Sequence, residues 1–145
     1  MKHRELKVAK TYAVRLEKDE DVMESLAAFC GAQNITHASF RAIGAIKDAK
    51  VGYYDLAEKK YGTIEYPHEM EVASMLGNVA LVDDKPFVHA HVVLSDMQQG
   101  KENQCVGGHL FSAKVAVTLE VHLESYDATV AREMDHEIGL KLLDL

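Results

Sequence analysis

The 145-residue chain has no tryptophan, only two prolines and two cysteines, and no long apolar run. A membrane-spanning helix needs about 20 consecutive apolar residues, so none is expected. No apolar segment follows the charged start, which argues against a signal peptide and makes the cytoplasm the expected location. Cys30 and Cys105 are too few for a disulfide framework. The remaining composition, 48% apolar and 27% charged, is typical of a globular protein, and we expect one domain covering residues 1–145.

Positive charge is also scarce, because 16 Lys and Arg residues face 23 Asp and Glu residues, a net charge of −7. A protein that binds nucleic acid through phosphates needs a basic patch. The one local cationic cluster is N-terminal, within residues 2–10, and Glu5 interrupts it. Such a cluster is typical of a solvated strand edge. The charge balance therefore disfavours unaided DNA binding.

Two further kinds of motif are missing. The chain contains neither a GxGxxG nor a Walker pattern, so we predict no phosphate-binding loop. The serines carry no nucleophile-elbow motif (Ser39, Ser74, Ser95 and Ser112). A covalent hydrolase of the serine type is not indicated.

Period-two alternation of apolar and polar residues predicts strands through most of the chain. The predicted strands are 6–16, 35–46, 49–56, 61–66, two segments of 69–82 around a bulge at 77–78, 87–94, 115–124 and 138–145. Residues 19–30 instead show a helical period, with a capping-box-like start at Asp21 and a stop at Gly31. One more helical turn is predicted within 128–137. The resulting fold class is α+β, a mainly antiparallel sheet with one principal packed helix.

The most informative stretch is FVHAHVVL, residues 87–94. Its alternation puts an apolar set on one face and places His89 and His91 together on the other. After a predicted polar turn at 95–103, two glycines precede a third imidazole, His109. Three imidazoles in this arrangement can form a cup for a divalent metal. The alternative is a half-buried histidine pair bonded to carboxylates or water, and Cys105 is a possible fourth ligand.

Four separated motifs, in this order, resemble the PPC (plants and prokaryotes conserved) domain family. They are FRAIGAIKDAKVGYYD (40–55), SMLGNVAL (74–81), PFVHAHVVLSD (86–96) and GGHL (107–110). The resemblance covers nearly the whole chain and implies an α+β domain that assembles as a homotrimer. It also implies a metal, zinc, at histidines matching His89, His91 and His109.

Plant members of this family carry a basic AT-hook before the domain, and no such segment is present in these residues. The chain therefore resembles the stand-alone prokaryotic type, which indicates a metal-binding module for a small ligand or a protein partner. An alternative is a metal-dependent hydrolase or lyase that uses a zinc-bound water. That reaction needs a general base, for which Glu71, Asp96 and Glu120 are the candidates. DNA binding, as in the AT-hook relatives, is the least favoured hypothesis.

Overall fold

The computed structural model describes residues 1–96 and 104–145. Its helix α1 spans Val22–Ala32. Its strands are β1 Val8–Leu16, β2 Ala38–Asp55, β3 Lys60–Tyr66, β4 Met70–Val82, β5 Lys85–Asp96, β6 Gln104–Tyr126, β7 Arg132–Asp135 and β8 Leu140–Leu143. The expected α+β class, a mainly antiparallel sheet with one principal helix, is confirmed. No helix in the described part of the chain is long and apolar enough to cross a membrane.

The main sheet closes on itself. Its strand order is β1-β6-β5-β4-β2-β3, and β6 additionally pairs with β2. The antiparallel pairings of β6 with β5, β5 with β4, β4 with β2 and β2 with β6 therefore form a ring. The 23-residue β6 makes this possible, because its start pairs with β5 and its remainder pairs with β2 and β1. A closed ring leaves few unpaired strand edges.

The helix covers the core. Val22, Leu26 and Cys30 are fully buried, as their helical spacing predicted, and α1 packs against β5 and β6. The Asp21 carboxylate accepts a hydrogen bond from the Glu24 amide at 2.9 Å, which confirms the predicted cap. Gly31 is not the helix stop, however. It lies within α1, and Asn34 takes the left-handed φ of +55° beyond the helix end.

Several predicted breaks in the strands are absent. Residues 38–55 form one strand, with Gly44 as an irregularity inside it, rather than two separate strands. β4 is continuous through Gly77, and its register shift lies between Val72 and Ser74 instead. Of the turn predicted at 95–103, residues 95 and 96 belong to β5, and residues 97–103 lie outside the described residues. Local glycines did not break these strands because pairing on both sides holds them extended.

The C-terminal segment also differs from expectation. Residues 132–135 form β7 instead of a helical turn, and β7 pairs with β8 in a separate two-stranded sheet. This C-terminal hairpin (residues 132–143) is joined to the main sheet by hydrogen bonds. The Tyr54 hydroxyl donates to the Ile138 carbonyl at 2.8 Å, and just before the hairpin the Leu81 amide donates to the Val130 carbonyl at 2.9 Å. The predicted final strand exists, but it belongs to this hairpin.

The two thiols should differ sharply in reactivity. Cys30 is fully buried, and burial raises its pKa to about 11, whereas Cys105 is exposed on β6. Because the thiolate is the reactive form, we expect native protein to label rapidly at Cys105 alone and to label at both cysteines in urea. Mass spectrometry after brief iodoacetamide treatment measures this. A Cys105→Ser variant should take no rapid label, and rapid native modification of Cys30 would contradict the buried helix face.

Candidate metal centre

The strand register brings the three predicted histidines together. His91 on β5 lies directly opposite His109 on β6, so their side chains share one face of the sheet. His89 precedes His91 by two residues and lies on the same face. The ring centroids are 5.1 Å apart for His89 and His91, 4.9 Å for His89 and His109, and 5.7 Å for His91 and His109. One nitrogen from each ring lies within 4.8 Å of the others.

Gly108 explains how His109 reaches this position. Its φ of +157° is rarely adopted by residues with a side chain. A Cβ at this residue would lie 2.5 Å from the Gly52 carbonyl oxygen on β2. The glycine thus lets β6 pass close to β2 immediately before His109. At that point His109 lies between β5 and β2, opposite both His91 and Gly52.

Arg132 completes the polar part of the centre. It is 9% exposed, and the C-terminal hairpin holds it through a 3.1 Å hydrogen bond to the Lys141 carbonyl oxygen. One of its terminal nitrogens donates to Asn78 Oδ1 at 2.6 Å and to His89 Nδ1 at 3.2 Å. Asn78 lies opposite His89 in the register of β4 and β5. The hairpin therefore places a buried cation against the first histidine of the cluster.

The surroundings favour neutral imidazoles. Burial, then the positive charge of Arg132, lowers the pKa of His89 to about 4. Burial also lowers the pKa of His109, and the neighbouring His91 adds to that effect. A neutral imidazole with a free lone pair is the form that binds a metal. Near pH 7 the half-buried rings are thus in the protonation state that a metal requires.

Two observations bear on whether the residues fit a metal. His109 Nδ1 is buried without a hydrogen-bond partner among the described atoms, so one ring nitrogen is left for a further ligand. His89 Nδ1 accepts a hydrogen bond from Arg132, which places the proton of the neutral ring on Nε2. Because a ligating nitrogen must carry no proton, the guanidinium opposes metal binding at this ring. The three histidines therefore fit a metal site, and Arg132 lowers the affinity of that site for the metal.

The other sequence-predicted candidates lie elsewhere. Asp96 is five residues beyond His91 on β5, where its carboxylate contacts His68 Nε2 at 2.9 Å. Glu71 lies opposite Ser95 in the same region, and Glu120 is eleven residues beyond His109 on β6. Cys105 is exposed and lies outside the three-histidine group. None of these side chains belongs to the group formed by His89, His91 and His109.

Sequence reasoning missed Arg132 and the aromatic wall of the site. The Tyr61 ring lies 5.2 Å from that of His109 and 4.9 Å from that of Phe111. Phe111 could have been found, because it follows His109 by two residues and shares its face. No local pattern marks Arg132 as a site residue, since a hairpin distant in sequence delivers it.

The chain is similar to known proteins in both its sequence and its fold. The sequence profile of the Plants and Prokaryotes Conserved (PCC) domain matches residues 3–127. No match was found among curated proteins. The fold is similar to that of a metal-containing protein from Archaeoglobus fulgidus, with 37% identity, 98% of each chain covered and a TM-score of 0.89.

Two other solved structures are also similar. A plant- and prokaryote-conserved protein from Pyrococcus horikoshii is 31% identical, with 100% of this chain and 98% of that chain covered and a TM-score of 0.91. A protein from Ralstonia eutropha, described as a candidate DNA-binding protein, is 29% identical, with 97% of this chain and 95% of that chain covered and a TM-score of 0.83.

Proposed function

The chain belongs to the Plants and Prokaryotes Conserved domain family, and on that premise we propose that it is a cytoplasmic, homotrimeric metal-binding module. A zinc ion is held by His89, His91 and His109, and the site is presented to a small ligand or a protein partner. The observation that carries this proposal is the convergence of three ring nitrogens within 4.8 Å. A similar protein described as metal-containing supports it.

The chemistry of the ligand set favours zinc. Three neutral imidazoles are a common nitrogen set for this ion, and such a site keeps a fourth position for a ligand or water. When bound, the metal supplies a Lewis acid at that position. The chain's own residues keep His89 and His109 half-buried and position Arg132 against His89.

Binding is preferred over hydrolysis or lyase chemistry. A metal-bound water needs a general base within hydrogen-bond reach. The three carboxylates considered for that role, Glu71, Asp96 and Glu120, lie outside the group formed by His89, His91 and His109. The proposed role is accordingly that of a ligand-binding module. The net charge of −7 gives DNA binding no support.

An exposed apolar surface formed by Ile43, Leu76 and Val93 is the proposed interface of the homotrimer. Ile43 is 59% exposed, Leu76 is 62% exposed and Val93 is 44% exposed. Leu76 lies opposite His91, and Val93 follows His91 by two residues on the same face. Apolar side chains exposed on one face are typical of an interface between subunits. This surface therefore adjoins the metal centre at its most exposed histidine.

A Leu76→Asp variant tests the homotrimer. We expect sedimentation analysis to show wild-type trimers and a shift to monomers in the variant, because a carboxylate buried at the interface without a partner costs several kcal/mol. Ile64→Asp is the matched control, since Ile64 is 60% exposed on β3 and lies outside this surface. A wild-type monomer at micromolar concentration would contradict the assembly.

The test of the metal proposal is elemental mass spectrometry on untagged protein. The expected result is near-stoichiometric zinc that survives gel filtration. Folded protein that neither carries a divalent metal nor takes one up after zinc is supplied would overturn the metal-binding function.

A further inference from the structure

A cavity of about 580 Å³ opens beside the metal centre. His89, His109 and Arg132 form its polar end. The rest of the lining is mainly apolar and comes chiefly from α1, β5, β6 and the C-terminal hairpin, with Met23, Ala27, Val88, Leu110 and Leu140 among its residues. A cavity of this size, with few polar groups at one end, is typical of a small-molecule site.

The polar end carries an unbalanced positive charge. Arg132 is buried, and burial lowers its pKa. The ion pairs of the described residues join carboxylates to Arg15, Lys47, Lys50, Lys60, His68 and Lys141, and none includes Arg132. Its hydrogen-bond partners are all neutral, and its Nε atom is buried without a described partner. A buried charge is costly unless an opposite charge accompanies it.

We propose that this cavity binds a small organic acid whose carboxylate pairs with Arg132 and whose apolar body lies against the apolar lining. The inference rests on the proposed function, because the carboxylate would lie beside the three-histidine site. It goes further in naming the ligand class and the residue that recognises it. Arg132 lies beyond residues 3–127, the part of the chain that the family profile matches.

A carboxylate suits this site better than a larger oxyanion. One guanidinium is balanced by one negative charge, and a planar carboxylate matches the planar donor edge of arginine. Glu24 and Lys141 also line the cavity, but both are exposed and Lys141 already contacts Asp83 at 3.2 Å. The buried guanidinium is therefore the cation that a bound acid would neutralise.

Arg132 is expected to weaken the binding of a metal ion and to strengthen the binding of a carboxylate. The guanidinium repels a divalent cation and donates to His89 Nδ1, so its removal should strengthen zinc binding. The same removal takes away the partner of the carboxylate. Arg132→Gln is thus expected to change the two affinities in opposite directions, which a general loss of folding cannot do.

The experiment is isothermal titration calorimetry with octanoate, octanamide and inorganic phosphate, on zinc-loaded protein and on protein stripped with a chelator. Octanoate should bind wild type more tightly than its neutral analogue octanamide. In Arg132→Gln its affinity should fall roughly 10- to 100-fold, the effect expected for losing a hydrogen bond to a charged group. Zinc affinity in the same variant should rise about tenfold or more.

Two further variants keep the test decisive if Arg132→Gln folds poorly. Arg15→Gln is the matched control, because Arg15 is an exposed arginine on β1 that does not line the cavity. It should leave octanoate binding unchanged. Ala27→Leu fills part of the apolar lining, and it should weaken octanoate more than butyrate.

The outcomes separate this inference from the metal proposal. Zinc binding without octanoate binding would overturn the inference and leave the metal site intact. Octanoate binding that depends on Arg132, in protein that takes up no zinc, would support the inference and overturn the metal site. Equal affinity for octanoate and octanamide would overturn the recognition of the carboxylate by Arg132. Competition by inorganic phosphate as strong as that of octanoate would overturn the binding of an apolar body in the cavity.

Discussion

In a His89→Ala/His91→Ala variant we expect the bound zinc to be lost. The change removes two of the three proposed nitrogen ligands and leaves His109 alone. Apparent free energies of zinc binding are about 10–16 kcal/mol for four ligands, so losing two ligands should weaken binding by at least ~1,000-fold. Elemental mass spectrometry after gel filtration, combined with a chelator competition assay, measures the content and the affinity.

The variant is expected to remain folded, which makes the comparison meaningful. His91 is exposed and His89 is half-buried on the outer face, while the apolar set of β5 remains in the core. His122→Ala is the matched control, because His122 is an exposed histidine on β6 outside the cluster. Zinc should be retained in that control. Equal zinc content in the double variant and the control would show that the ion is bound elsewhere.

A Gly44→Ala variant should be strongly destabilised. Gly44 has a φ of +146°, and a Cβ there would lie 2.1 Å from the Thr118 carbonyl oxygen and 2.9 Å from the Leu119 Cα. Both contacts are with the backbone of β6, so no side chain can rotate away. Strained backbone and overlap with a paired strand together predict a loss of roughly 3–5 kcal/mol in the free energy of unfolding. The pairing that closes the sheet ring would be disturbed at its centre.

Urea unfolding followed by circular dichroism measures this loss. Gly31→Ala is the control, because Gly31 lies within α1 and a Cβ there would meet nothing within 4 Å. In a helix, alanine is favoured over glycine by up to about 1 kcal/mol, so this variant should be slightly more stable than wild type. Equal stability of Gly44→Ala and wild type would mean that β2 and β6 do not approach closely at this residue.

The candidate site divides clearly into a predictable part and an unpredictable part. His89 and His91 could be placed on one face from residues 87–94 alone, because side chains alternate along any strand. The sequence showed two glycines before His109, and only the structure shows that a Cβ at Gly108 would lie 2.5 Å from the Gly52 carbonyl oxygen. Arg132 could not be assigned, since the segment 128–137 was mostly polar and predicted a helical turn.

Burial and strand continuity elsewhere in the chain also could not be predicted from local sequence. No local pattern marks His37 as buried, but it is 5% exposed and its Nδ1 lies 2.8 Å from the Val79 carbonyl oxygen. The β2 strand was predicted as two pieces because Gly44 disfavours a regular strand locally. In the folded chain, pairing with β4 and β6 on its two sides keeps it continuous.

The sequence by itself determined the α+β class, the single amphipathic helix and the apolar faces of the strands, because these follow from periodicity within a few residues. It also determined which side of β5 carries the histidines. Only the tertiary structure decided that β6 joins β5 to β2 and closes the ring, and that the C-terminal hairpin carries Arg132 to His89. Those features depend on strand pairing between residues distant in sequence, whose register is set by the packing of the whole core.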